Sequence, residues 1–214
     1  MSRQNKKESV AALHKENILS SAEKLFLAKG VASTTIDDIS KSSAYCKRTI
    51  YAYFESKDDI LHHIILKGLA GLKVDLLDIL QQQRDFISQY HMICEAMEKY
   101  QVNSPQSAYS VNQMSSNGMN SGTISPTVTN IIEFGAEINN LLAGFIEQGK
   151  RQGAVRTDIE PMQTVYIMWS CITSLVSLVQ NKGEFFEKQF STSRESFLEY
   201  GYKQILNSLL ENRI

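Results

Sequence analysis

The spacing of apolar residues along this chain is helical almost throughout. Ile18, Ala22, Leu25 and Phe26 occupy the i, i+4, i+7 and i+8 positions of one helix face, which is the pattern of an amphipathic helix. Gly30 follows this stripe and is predicted to end the helix in a left-handed conformation. The alternating pattern that indicates strands is weak everywhere, so the chain is predicted to be all-α.

Capping signals predict where the next helices begin. Thr34 and Thr35 each precede an aspartate by three residues, so either threonine could cap a short second helix. A third short helix is predicted from about Cys46 to Tyr53. The sequence Ser-Lys-Asp-Asp, beginning at Ser56, places two carboxylates in the first turn of a long fourth helix, where the helix dipole favours them.

The rest of the chain predicts a larger helical body. Further helices are predicted at about 86–100, 131–153, 161–181 and 193–212. Between residues 103 and 127 the composition changes to Ser, Asn, Gly, Gln and Thr, which favours a loop.

Composition excludes several classes of protein. No apolar run approaches the ~20 residues of a membrane span, and no secretory signal begins the chain. Three widely spaced cysteines argue against a disulfide framework and fit a reducing cytoplasm. The four histidines and these cysteines form no spaced metal pattern, so neither a metal nor a cofactor is predicted. The motifs of serine hydrolases, phosphate-binding loops and zinc proteases are absent from the sequence, so no enzyme is predicted.

Charge is distributed unevenly along the chain. Up to Lys57 there are ten basic and six acidic residues, a net of +4, whereas the remainder has twelve and seventeen, a net of −5. A basic head on an acidic body suggests that the head binds a polyanion, although chance clustering of solvated charges gives the same pattern.

The most specific motif lies where the head meets the body. Residues 47–54 read Lys-Arg-Thr-Ile-Tyr-Ala-Tyr-Phe, and residues 56–61 read Ser-Lys-Asp-Asp-Ile-Leu. Together with the first helix, this stretch of roughly residues 10–65 resembles the tetracycline-repressor (TetR) family of transcriptional regulators. The resemblance implies a helix-turn-helix DNA-binding domain at 10–56, and a helical ligand-sensing and dimerisation domain at 57–214.

The turn departs from the family pattern. Ser-Ala-Tyr-Cys at 43–46 stands where the family usually has Ala-Gly-Val-Ser. Ala44 therefore replaces the turn glycine, so the turn must tolerate a Cβ or bend differently. Cys46 replaces a capping hydroxyl. Its position at a helix N-terminus beside Lys47 and Arg48 favours the thiolate, which would make DNA binding sensitive to oxidants; the alternative is a small residue that the turn merely tolerates.

The resemblance also implies roles for individual residues. Thr35 and Lys57 are expected to hold DNA phosphates, the start of the third helix to face base edges, and two tyrosine hydroxyls to lie at the groove edge. Ile50 and Phe54 are expected in the core. The full predicted DNA-binding set is Thr34, Thr35, Cys46, Lys47, Arg48, Thr49, Tyr51, Tyr53 and Lys57.

Two further sets are expected in the body. An apolar or aromatic ligand is expected among the central helices, with plain core packing as the alternative for each residue; the candidates are Tyr90, His91, Cys94, Met97, Phe134, Ile138, Met168 and Trp169. A homodimer is expected through the last two helices at Ile172, Val176, Tyr202, Ile205 and Leu209. The predicted partners are thus an operator in double-stranded DNA, a second copy and a small ligand, with no membrane.

Rival readings of the sequence remain. The chain could be a helical ligand carrier or enzyme with a fortuitous basic head, or a protein that compacts DNA without sequence preference. Binding to random and to selected duplexes separates these from a specific regulator.

Overall fold

The computed structural model describes residues 3–103 and 125–211, and helices account for most of them. The helices are α1 (Arg3–Lys29), α2 (Ile36–Ser43), α3 (Lys47–Tyr51), α4 (Lys57–Gln81), α5 (Phe86–Asn103), α6 (Pro126–Arg151), α7 (Pro161–Phe190) and α8 (Arg194–Leu209). Within the described ranges the β pairing is one isolated antiparallel bridge, Val155 with Leu210. The predicted all-α class is confirmed.

The described residues divide into two compact units. The first contains residues 3–68 and 125–132, and the second contains residues 69–103 and 133–211. Helix α4 begins in the first unit and ends in the second. The domain boundary predicted from sequence lies at Lys57, the first residue of α4, and it stays a prediction.

The first unit is built on the apolar stripe of α1. Ile18 and Phe26 are buried against the inward residues of α2, α3 and the start of α4. Gly30 ends α1 with φ +80°, as predicted. The core of this unit comprises Ile18, Leu19, Ala22, Phe26, Ile39, Ile50, Phe54, Ile60 and Ile64.

The turn between α2 and α3 keeps the left-handed residue that a glycine would supply. Ala44 has φ 59° and ψ 19°, a conformation that costs an L-residue with a Cβ about 1–2 kcal/mol. The hydroxyl of Ser40 donates to the carbonyl of Tyr45 at 2.7 Å, and the amide of Tyr45 donates to Ser43 Oγ at 3.4 Å. These bonds hold the turn in a conformation that its own sequence disfavours.

The second unit is a helical body in which α5 packs on α7 and α8. Tyr90 of α5 is fully buried, and its hydroxyl donates to the carbonyl of Tyr202 at 3.0 Å. The Tyr202 hydroxyl in turn donates to Glu98 Oε2 at 2.9 Å. Burial raises the pKa of both phenols well above the ordinary value, so both stay protonated donors across the physiological range.

The last two helices differ from their predicted ranges. Helix α7 was expected to end near Asn181, but only Lys182 is non-helical (φ −131°, ψ 18°), and the helix resumes after it. Stacked aromatic rings stabilise this extension, since the Phe186 ring lies 5.6 Å from that of Phe190 and 4.5 Å from that of Phe197. Helix α8 ends at Leu209 rather than near Asn212. The loop predicted at 103–127 lies largely outside the described residues.

We expect Ala44→Gly to stabilise the first unit. Glycine adopts positive φ without the steric penalty of a Cβ, so the free energy of unfolding should rise by about 1 kcal/mol, after the larger entropy of an unfolded glycine is deducted. Chemical denaturation followed by circular dichroism measures the change.

The matched control is Ala52→Gly in the same motif. Ala52 is exposed and right-handed (φ −75°, ψ −16°), so glycine there should be neutral or destabilising by about 0.5–1 kcal/mol. Equal effects of the two substitutions would contradict the strain assigned to Ala44.

Candidate nucleic-acid interface

The candidate interface is formed by α2, its turn and the single helical turn of α3. In α3, Ile50 is completely buried in the core of the first unit. Lys47, Arg48 and Tyr51 are exposed on the same helix, and Thr49 is half-buried. With Ile50 in the core, Lys47, Arg48 and Tyr51 face solvent.

The two threonines before α2 have different tasks. Thr35 is the N-cap: its hydroxyl accepts from the amide of Asp38 at 3.2 Å, and the Asp38 carboxylate accepts from the amide of Thr35 at 2.9 Å. Thr34 is 1% exposed, and its hydroxyl donates to the carbonyl of Gly30 at 2.8 Å. The side chain of Thr34 is thus an internal link to the end of α1, and its contact with DNA stays a prediction.

The Asp38 carboxylate accepts several hydrogen bonds at the start of α2. Its Oδ2 accepts from Lys29 Nζ at 2.8 Å and from the Thr35 hydroxyl at 2.8 Å. The Lys29 ammonium, followed by the two Thr35 hydrogen bonds, holds the pKa of Asp38 well below its usual range. A phosphate bound by the Thr35 hydroxyl would have to displace this carboxylate; the role of Thr35 in DNA binding stays a prediction.

Lys57 links the start of α4 to the chain before α2. Its ammonium is half-buried and donates to the carbonyl of Val31 at 2.7 Å and to that of Thr34 at 2.9 Å. The sequence predicted an ammonium directed at a DNA phosphate. In the structure two of its three donors instead satisfy carbonyls of the protein, so Lys57 positions the loop that carries Thr35.

The exposed face of α3 is polar and basic. Lys47 Nζ lies 2.6 Å from Asp37 Oδ1 on α2, and the hydrogen bond with that carboxylate raises the pKa of the Lys47 ammonium. Both side chains are more than half exposed, so the pair is weak in water and can reopen at little cost. Arg48 and Tyr51 lie beside it on the same exposed turn.

Cys46 is the N-cap of α3, as expected, but it does not cap the helix backbone. Its Sγ lies 3.2 Å from the Thr49 hydroxyl, and hydrogen bonding to Thr49 lowers the pKa of the thiol. The backbone amides of Thr49 and Arg48 at the start of α3 add to this effect, in line with the expected influence of the helix N-terminus, whereas the charges of Lys47 and Arg48 are not among its causes. Whether oxidation of Cys46 affects DNA binding stays a prediction.

Tyr53 does not project freely. It is half-buried against the core of the first unit, and its hydroxyl lies 3.2 Å from His14 Nδ1 on α1. The sequence placed this hydroxyl at the groove edge and gave no role to His14. The spacing of α1 could have indicated this contact. His14 lies four residues before Ile18, so it is on the same, inward-facing side of the helix.

The predicted ligand set lies in the second unit and is mostly core. Tyr90, Cys94 and Met97 of α5 are at most 1% exposed. Burial raises the pKa of the Cys94 thiol to about 12, so the thiol is neutral. Ile138 and Met168 are likewise buried, whereas His91, Phe134 and Trp169 are half-buried, and Trp169 Nε1 donates to Asn139 Oδ1 at 3.0 Å.

A surface pocket lies elsewhere in this unit. Its volume is about 460 Å³, and it is lined by residues 180–185 and Arg194 beside the irregular turn of α7. It contains none of the predicted ligand residues. In the part of the chain that the structure describes, no group of three His, Cys, Asp or Glu side chains could hold a metal ion.

The predicted dimer contacts lie mostly on the inward faces of their helices, and their role in a dimer stays a prediction. Ile172, Val176, Tyr202 and Leu209 are 0–5% exposed within one chain, and Ile205 is half-buried. The helical spacing identified the inward face of each helix rather than the face available to a partner. The exposed large apolar side chains described on the same helices are Tyr166, Ile167, Phe185 and Phe190 of α7 and Tyr200 of α8.

Helix α7 is long and apolar enough, by length and composition alone, to cross a membrane. Its best 18-residue window has a mean hydropathy of 1.4. Core helices pass the same test, and a regular stripe of α7 from Val165 to Val179 is buried within the second unit. One such helix is therefore weak evidence for a membrane span.

We expect Lys57→Met to destabilise the first unit without removing a DNA phosphate contact. The two carbonyls would lose their donor, at a cost of about 1–3 kcal/mol. The slope of log affinity for DNA against log salt should stay constant, because that slope counts neutralised phosphates. Lys67→Met, on the exposed side of α4, is the control. A slope reduced by about 1, with stability unchanged, would restore the phosphate role.

Comparisons with known proteins agree with this geometry. Residues 18–64 match the sequence profile of the bacterial regulatory proteins of the tetR family. The HTH-type transcriptional repressor NicS of Pseudomonas putida is 28% identical over 152 residues, covering 68% of this chain and 67% of NicS.

Solved structures share the fold across both units. A transcriptional regulator from Saccharomonospora viridis, crystallised in complex with choline, has a TM-score of 0.71 at 16% identity and covers 94% of this chain and 100% of its own. The MbdR regulator from Azoarcus sp. CIB has a TM-score of 0.68 at 19% identity and covers 92% and 99%. The matched profile spans α2, the turn and α3 with parts of the helices that support them, and residues 18–64 are thus a DNA-binding domain of the TetR family of transcriptional regulators.

Proposed function

We propose that this protein is a cytoplasmic homodimeric repressor that reads a two-fold symmetric operator through α3 of each protomer and is released by a small ligand. The proposal rests on the fact that α3 has one buried side and one exposed, basic side. Ile50 is buried in the core, while Lys47, Arg48 and Tyr51 are exposed on one turn. A short, anchored helix with a basic outer face suits insertion into the major groove.

Arg48 is the residue best suited to read a base. It is exposed and carries a planar guanidinium, whose paired donors match the two acceptors of guanine in the major groove. Lys47 is paired with Asp37 in an exposed and therefore weak ion pair. Its flexible side chain can leave that carboxylate to contact a phosphate or a base edge.

Arg48→Ala tests base reading directly. With a duplex selected from random DNA by the wild-type protein, affinity should fall by about 1–3 kcal/mol, and preference should relax at one position of each half-site. The control is Lys24→Ala, which removes an exposed cation from α1 and should change affinity little. Equal losses for both variants, on selected and random duplexes alike, would show charge attraction without base reading.

The dimer is supported by the apolar side chains that α7 and α8 leave in solvent. Tyr166 and Ile167 are each 60% exposed, and Tyr200 of α8 is 63% exposed. Ser170 and Ser174 continue the exposed face of α7, and small residues let helices approach closely. Two copies that bury this face would form a bundle of four helices and present two copies of α3 to DNA.

We expect Ile167→Glu to produce monomers and to weaken operator binding together. A buried carboxylate facing its own symmetry mate is strongly unfavourable in a two-fold interface. Light scattering measures the mass and a gel shift measures binding. The control is Val74→Glu on α4, where Val74 is 65% exposed. An unchanged dimer in Ile167→Glu would refute this interface.

The proposed ligand site lies among α5, α6 and α7. The predicted residues there are apolar or aromatic, and the donors of the buried Tyr90 and the half-buried Trp169 are already bonded within the protein. These features favour an apolar or aromatic ligand that takes the place of core contacts. Coupling between ligand and operator is then reciprocal, so each must lower the affinity of the other by the same factor.

A further inference from the structure

The recognition helix α3 cannot hold its own orientation. It contains five residues, and a single helical turn is marginal in water because few hydrogen bonds offset its ordering. Ile50 anchors it at one point in the core, which leaves rotation about that anchor to be restrained by the flanking residues. Those residues are Tyr45, two positions before α3, and Tyr53, two positions after it.

One α1 side chain contacts both flanks. The His14 ring centroid lies 5.0 Å from that of Tyr45, with a tilt of 55°, and 6.0 Å from that of Tyr53, nearly edge-on at 76°. His14 Nδ1 lies 3.2 Å from the Tyr53 hydroxyl. The imidazole therefore makes a polar and an aromatic contact with one flank and an aromatic contact with the other.

A second α1 residue, one turn further along, strengthens the contact with the first flank. Asn17 Nδ2 donates to the Tyr45 hydroxyl at 3.3 Å. Ser40 of α2 holds the Tyr45 carbonyl at 2.7 Å. Tyr45 is thus held by its ring, its hydroxyl and its backbone, next to the strained turn at Ala44.

We propose that His14 is a specificity-determining positioning residue: through Tyr45 and Tyr53 it fixes the rotation of α3 about Ile50. It sets which of Lys47, Arg48 and Tyr51 meet the base edges. His14 acts through the flanks of α3 and needs no DNA contact of its own. This inference rests on the proposed reading of bases by α3.

Replacing His14 should reduce discrimination between DNA sequences and leave the charge attraction to DNA unchanged. Without the imidazole, α3 samples several rotations, and contacts that require alignment with base edges are weakened. Phosphate attraction is tolerant of such rotation, since it depends on charge rather than on exact alignment. The ratio of affinity for selected DNA to affinity for random DNA should therefore fall, while the affinity for random DNA changes little.

The experiment uses the full-length chain and two duplexes of equal length, one selected from random DNA by the wild-type protein and one of random sequence. His14→Ala should reduce the affinity ratio about tenfold, a loss within the range of one mismatched base pair. His14→Phe, which keeps the ring and removes Nδ1, should recover part of the ratio. A ratio within about twofold of wild type for His14→Ala would overturn the proposal.

A matched control separates positioning from stability. His63 also makes an edge-on aromatic contact within the first unit, but its ring partner is Phe54, at 5.2 Å between centroids, whereas Tyr45 and Tyr53 pack against His14. His63→Ala should lower stability and leave the affinity ratio unchanged. An equal fall in the ratio for His63→Ala would assign the effect to general destabilisation and overturn the proposal.

A double-variant cycle tests the route through Tyr53. If His14 acts through the flank, Tyr53→Phe should cost little once His14 has been replaced; full additivity would overturn the route. Should His14→Ala fail to fold, the cycle of His14→Phe with Tyr53→Phe serves the same purpose. Failure of the wild-type protein to select any sequence would instead refute the proposed function, and the two failures are thus distinguishable.

Discussion

The orientation of a five-residue helix is the constraint on which the DNA-binding unit depends. Helix α3 is too short to be stable alone, so its position is set by burial of Ile50 and by contacts from its neighbours. Ser40 and Ser43 hold the turn, Lys57 ties the loop before α2, and His14 contacts both flanks. Thr34, Tyr53 and Lys57 are bonded within the unit, whereas Lys47, Arg48 and Tyr51 remain exposed to meet DNA.

The second unit meets a different requirement. Its inward faces form a core among α5, α7 and α8, while Tyr166, Ile167 and Tyr200 remain in solvent. Burying that residual apolar area would favour association by the hydrophobic effect. The proposed dimer follows from this, and it would give each operator two copies of α3. Helix α4 begins in the DNA-binding unit and ends in the second unit. A displacement of its second half would therefore act on the DNA-binding unit through one continuous helix.

Sequence reasoning succeeded where local chemistry decides the structure. Helical spacing, the Gly30 cap and the capping signals before α2 and α4 depend on neighbours a few residues apart, and the structure confirms them. It failed where distant residues meet: Lys57 with Val31 and His14 with Tyr53 are separated by 26 and 39 positions. Periodicity also could not tell the buried face of α7 from the face left for a partner, because both carry apolar side chains.

The most direct test of this account is a crystal structure of the protein bound to its selected operator. We expect α3 in the major groove with the Arg48 guanidinium on a base edge. We also expect that Lys57 still donates to the Val31 and Thr34 carbonyls, and that His14 still contacts Tyr45 and Tyr53. A complex in which α3 lies outside the groove, or in which Lys57 has left those carbonyls for a phosphate, would contradict the claim that the free protein already holds its recognition helix in the binding orientation.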